Sequence, residues 1–96
     1  MTSEEQLHER IQDAPKKLIA TRIRRARKAR ELSHDKLGAL CGTSRQHLIR
    51  LEQGIHRPRA GMLTRIAAAT ERPVEWFVDP EVDPSPFPGD VDAGGD

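Results

Sequence analysis

The stretch Ser33-His-Asp-Lys-Leu-Gly-Ala-Leu-Cys-Gly42-Thr-Ser-Arg-Gln-His-Leu-Ile-Arg-Leu-Glu-Gln-Gly54 reads as two short helices with a turn between them. Ser33 brings a side-chain oxygen to the open N–H groups of a first helical turn, and the helix continues through His34, Leu37 and Cys41. Gly42 is a C-terminal cap that adopts the left-handed conformation without steric cost. Ser44 repeats the N-cap signal for a second helix, which runs to Gln53 and stops at Gly54. A separation of about three residues meets the description of a helix-turn-helix.

At roughly 100° per residue, Leu48 and Leu51 of the second helix point one way. Gln46, Ile49, Arg50 and Gln53 therefore point the other, with Arg45 at the flank. An outward face that mixes long hydrogen-bonding side chains with a bare isoleucine suits insertion into a DNA major groove. Arginine pairs bidentately with guanine, glutamine with adenine, and an apolar side chain meets the thymine methyl, which is the role expected of Ile49. The hydroxyls of Thr43 and Ser44, with the N–H groups of their turn, suit phosphate oxygens, and the loop bases Arg57 and Arg59 suit the DNA backbone or the minor groove.

The flanking segments supply the remaining helices. From Pro15 to about Arg30, the residues Leu18, Ile19, Ile23, Ala26 and Ala29 gather on one side of a helix, while Arg24, Arg25 and Lys28 point away. Arg27 falls at the edge of the apolar stripe and needs a partner if partly buried. After the loop Ile55-His-Arg-Pro-Arg59, a helix over 60–70 offers Met62, Leu63, Ile66 and Ala69 to a core. A short one after Pro73 offers Val74, Trp76 and Phe77, of which Trp76 or Phe77 is expected to plug the end of the bundle. Ahead of these, Ser3 and Gln6 form a capping-box pattern for a short helix with a narrow stripe of Leu7 and Ile11. The chain thus divides into an N-terminal extension (1–14), a helical domain (15–78) and an acidic Pro/Gly-rich tail (79–96) that cannot bury enough to order itself.

Charge is segregated along the 96 residues, although the net value is only +1. Residues 14–73 hold fifteen Lys and Arg against four carboxylates, and residues 74–96 hold seven carboxylates and no base. A small domain so basic favours a polyanion. A chain of this size has no room for a second core or a large substrate-burying enzyme. No apolar run approaches a membrane span, and the first 20 residues are too charged for a secretory segment, so the expected compartment is the cytoplasm. Cys41 stands alone, and His8, His34, His47 and His56 lack metal-ligand spacing. No glycine-rich phosphate loop or nucleophile pattern points to catalysis or to a cofactor.

Taken together, Leu32-Ser33, Leu37, Gly42-Thr-Ser44, Leu48, Leu51-Glu52, Gly54, Arg57-Pro58 and Val74-Glu-Trp76 resemble the Cro and C1 repressor-like (XRE) family of helix-turn-helix proteins over about residues 18–78. The resemblance implies an all-α, five-helix lambda-repressor-like DNA-binding domain, here with an extra short N-terminal helix and a disordered acidic tail. It implies base contacts at Arg45, Gln46 and Arg50, to which the outward face adds Ile49. It places His34 where the family often touches a phosphate, alongside the candidates Thr43, Ser44, Gln53, Arg57 and Arg59. It also implies an internal salt bridge between Arg27 and Glu52. Glu31 and Glu71 stand where the family usually has glycine, and Gly38 where it has alanine.

The function implied is a sequence-specific transcriptional regulator, a phage or bacterial repressor that binds a palindromic operator on double-stranded DNA as a homodimer. Dimer contacts are expected from the short helix after Pro73 or from the Leu7 and Ile11 stripe. The alternative is an antitoxin that neutralises a partner toxin through residues 1–13 or 79–96 and autoregulates its operon.

Overall fold

The computed structural model describes residues 3–82, and these form α1 (Glu4–Asp13), α2 (Lys16–Ala29), α3 (His34–Cys41), α4 (Arg45–Glu52), α5 (Ala60–Thr70) and α6 (Glu75–Val78). No strand occurs among the described residues. Each start has a local cause. Ser3 closes a capping box on α1, accepting the Gln6 N–H at 3.1 Å while its own N–H donates to Gln6 Oε1 at 3.3 Å. Ser33 and Ser44 cap α3 and α4 by accepting the N–H groups of Lys36 at 3.0 Å and His47 at 3.1 Å. Ala14 leaves helical geometry because Pro15 follows it, and Pro15 opens α2.

The helix ends are less uniform. Gly42 closes α3 with φ 69°, as a left-handed cap does. Glu31 (φ 55°) and Glu71 (φ 58°) turn the chain after α2 and α5 in the same region, where a Cβ is strained. The Arg30 guanidinium donates to the Glu71 carboxylate, so the two ends are tied across the surface. Gly38 permits a close approach: a Cβ there would lie 2.8 Å from the Thr43 carbonyl oxygen, so the turn into α4 sits against α3 itself.

One core runs through the domain, built on Ile19, Ile23, Ala26, Leu37, Cys41, Leu48, Leu51, Leu63, Ile66, Trp76 and Phe77. Helix α2 packs on α4 and α6, α3 on α4 and α5, and α1 on α5. Trp76 and Phe77 are both fully buried and meet edge to face, with ring centroids 5.0 Å apart. Two arginines stand over the Trp76 ring, Arg22 at 5.2 Å and Arg72 at 4.7 Å. Arg22 is buried because its guanidinium donates to the carbonyls of Trp76 at 2.5 Å and Val82 at 2.9 Å. Burial, and after it the charge of Arg30, pulls the Arg72 guanidinium below its ordinary pKa.

Three features differ from the sequence expectations. Residues 1–14 were expected to lie outside the domain, yet Leu7, Ile11 and Ala14 of this segment are buried in the common core. The Leu7 and Ile11 stripe is therefore spent inside the molecule and is not an open dimer surface. Trp76, Phe77 and Val78 of α6 are buried as well, while Pro73 is exposed and Val74 and Glu75 are half-buried at the surface. Of the expected tail, residues 79–82 fold back onto the domain: Asp79 pairs with Arg10 at 3.8 Å, and Val82 packs against the core. Residues 83–96 lie outside the described residues.

Candidate nucleic-acid interface

The site is built on α4. Leu48 and Leu51 are buried beneath it, and Arg45, Gln46, Arg50 and Gln53 are exposed on its far side. The orientation of this helix is fixed from behind by Arg27. Its Nε donates to Glu52 Oε2 at 2.7 Å and its Nη2 to Glu52 Oε1 at 3.1 Å, a two-point grip that leaves Nη1 for the Leu32 carbonyl at 2.9 Å. The Glu52 side chain is only 7% exposed, so the pair works in a poorly screened setting.

The candidate phosphate residues are placed differently from one another. Thr43 is half-buried at the turn, and its N–H donates to the Gly38 carbonyl at 2.9 Å. Ser44 is exposed and accepts the His47 N–H, which leaves its hydroxyl proton free to donate outward. His34 is half-buried, with Nε2 3.2 Å from Glu52 Oε1, so that nitrogen faces the carboxylate and only Nδ1 remains for another partner. Arg59 is exposed at the start of α5.

Arg57 also makes internal hydrogen bonds. Its Nε donates to the Ile11 carbonyl at 3.2 Å and its Nη2 to the Ala14 carbonyl at 3.1 Å. These are carbonyls at the end of α1, which a helix C-terminus leaves without intrahelical partners. Arg57 is thus an internal strut from the α4–α5 loop to α1, and its half-buried side chain also lines the groove on the α5 side of α4. Ile49 needs a correction. It is half-buried, not bare, and lies in a groove between α2 and α4 with Arg24, Arg27, Lys28, His34, Glu52 and Gln53. The large apolar side chains most open to solvent among the described residues are Leu40 and Ile55, at 61% and 51%.

A second groove, of about 550 Å³, runs along the other flank of α4. His47, Arg50, His56, Arg57, Arg59 and Arg65 line it, and Glu4 of α1 closes one edge. No side chain caps α5 at this groove, so the first N–H groups of that helix add to its positive field. The arrangement suits a polyanion that runs past α4 on the α5 side. No group of three or more His, Cys, Asp or Glu that could hold a metal ion occurs among the described residues.

Helices α3 and α4, joined by a tight turn and carried on a basic domain, define the class as a helix-turn-helix DNA-binding protein. The family model described as Helix-turn-helix matches residues 23–77, more than half of the chain. The chain belongs to that family in its XRE, or Cro/C1, type, and is a DNA-binding regulator of that type. No curated protein and no solved structure matched it. No helix among the described residues is long and apolar enough to cross a membrane.

Proposed function

We propose that the protein is a sequence-specific transcriptional repressor, of phage or bacterial origin, that places α4 in the major groove of a palindromic operator. The observation that carries this reading is the rigidly held outward face of α4: two buried leucines and the Arg27–Glu52 grip fix the helix, and Arg45, Gln46 and Arg50 project from it. In this reading Arg45 and Arg50 donate to guanine edges and Gln46 pairs with adenine. Ile49 meets a thymine methyl from the rim of its groove. Thr43, Ser44, His34, Gln53 and Arg59 hold phosphates, with His34 using Nδ1.

Two copies bind, one to each half-site, with half-site centres about one helical turn apart. The Leu7 and Ile11 stripe, one of the two expected dimer surfaces, is buried, which favours assembly on DNA over a stable dimer in solution through that face. Sedimentation of the free chain and of its complex with a palindrome tests this: monomer alone and two chains per duplex are expected. A single chain bound to a symmetric site would overturn it. The protein acts in the cytoplasm of its host. The antitoxin alternative loses one support, because a toxin contact through 1–13 would have to use the polar face of α1, its apolar stripe being buried.

A further inference from the structure

We infer that the acidic segment 83–96 of the same chain seats in the groove on the α5 side of α4 and competes there with DNA. The inference concerns regulation of the proposed DNA-reading face and rests on that reading. Residues 83–96 carry Asp83, Asp90, Asp92 and Asp96 and no Lys, Arg or His. The arginines of the domain are not equally open to them. Arg27 pairs with Glu52, Arg30 with Glu71 and Arg10 with Asp79, and Arg22 donates to the carbonyls of Trp76 and Val82. In the α5-side groove, by contrast, Arg50, Arg57, Arg59 and Arg65 gather around a space of about 550 Å³, with Glu4 as the one carboxylate of the lining. None of these four pairs with a carboxylate among the described residues. Arg57 spends Nε and Nη2 on carbonyls, which are neutral acceptors and leave its charge uncancelled.

The point where the segment leaves the domain is fixed. Val82 packs against the core, and its carbonyl accepts from Arg22 Nη2 at 2.9 Å. From there Asp90 reaches up to about 26–29 Å and Asp96 up to about 46–50 Å, the span of the intervening residues when extended. The domain measures 32 × 29 × 24 Å, so the groove lies within the span of the segment. Met62, half-buried in the lining, offers an apolar contact to Phe87 or Val91. Exposed ion pairs are individually weak, but a tethered partner is present at an effective concentration on the order of millimolar, which fills a seat that free acid would not. Any duplex that uses the groove must first displace the segment. Preferred and random sequences therefore lose affinity by the same factor.

The test compares the full wild-type chain with the full chain carrying Asp83→Asn/Asp90→Asn/Asp92→Asn/Asp96→Asn. Without DNA, amide NMR shifts should differ between the two at His47, Gly61, Met62 and Arg65, and the differences should vanish at about 0.5 M salt. On DNA, fluorescence anisotropy at low salt should show the neutral-tail chain binding preferred and random duplexes alike roughly tenfold more tightly. In an Arg59→Gln/Arg65→Gln background, both positions being exposed, that gain should shrink to about twofold or less. Thermal melts verify that this background folds, and the NMR comparison does not need it. Shift differences confined to residues 79–82, or an undiminished gain in the groove background, would mean long-range charge alone and overturn the seat while leaving DNA docking intact. Groove shifts that grow with protein concentration would assign the seat to the segment of a second copy and overturn the contact within one chain. Failure of both chains to bind any duplex at low salt would overturn the DNA reading and the competition with it, and the groove shifts would still decide the seat.

Discussion

Arg27 and Glu52 meet through two parallel hydrogen bonds of 2.7 and 3.1 Å, joining the last turn of α2 to the last residue of α4. Their side chains are 11% and 7% exposed, so neither charge is well solvated without the other. Arg27→Met should therefore destabilise the domain by about 3 kcal/mol in urea unfolding, because it leaves Glu52 with His34 alone. Arg27→Met/Glu52→Leu should recover most of that loss, since an apolar pair of similar volume escapes desolvation. A single variant that costs less than about 1 kcal/mol would show that the pair is a solvated surface contact instead.

Arg57 supports a contrasting prediction. A strut that donates to the Ile11 and Ala14 carbonyls contributes to folding, whereas a phosphate ligand contributes to the salt dependence of binding. Arg57→Ala should lower stability by about 1.5–3 kcal/mol, the range for hydrogen bonds made by charged groups. Its salt slope on DNA should stay that of the wild type. A slope smaller by about 1 with unchanged stability would make Arg57 a phosphate ligand instead.

These two arginines also mark what the sequence made legible. The α3–turn–α4 unit was readable because its signals are local: serine caps, a left-handed glycine and leucines at helical spacing. Arg27 was readable because its place on the wheel put a charge beside an apolar stripe. Arg57 was not, because its partners are main-chain carbonyls more than forty residues away, which leave no side-chain pattern. Arg22 was missed for the same reason, its acceptors being the carbonyls of Trp76 and Val82. The place of α1 was hidden because two apolar residues show that a helix has a stripe but not which groove receives it. Ile49 was misread because a wheel drawn for one helix omits the neighbour, here α2, that shields its outward face.

The two left-handed glutamates give a stabilising prediction. Glu31→Gly should raise stability by about 1 kcal/mol, since glycine at φ 55° carries no Cβ penalty. Glu71→Gly should gain less, because it also removes the exposed ion pair with Arg30. Thermal denaturation of both variants checks the order. A loss at Glu31 would mean that its side chain makes a stabilising contact.

Cys41 is buried, and desolvation pushes its thiol pKa up, with the nearby Arg65 charge opposing in part. The folded state thus holds the proton more tightly than the unfolded state. Stability is full below the ordinary thiol range and should fall as pH rises through that range and above it. Cys41→Ala should flatten this alkaline loss, at the cost of a small cavity. Native-state alkylation should be slow and limited by opening of the domain. Rapid labelling at neutral pH would contradict the burial of this thiol.

The most direct test of the central claim is selection of bound sequences from a random duplex pool by the wild type and by Arg50→Ala. The account predicts a two-fold symmetric motif for the wild type. It also predicts loss of preference at one position in each half-site for Arg50→Ala, with roughly 1–3 kcal/mol of discrimination removed there. No enrichment by the wild type, or an identical motif from Arg50→Ala, would contradict the placement of α4 as the helix that reads DNA.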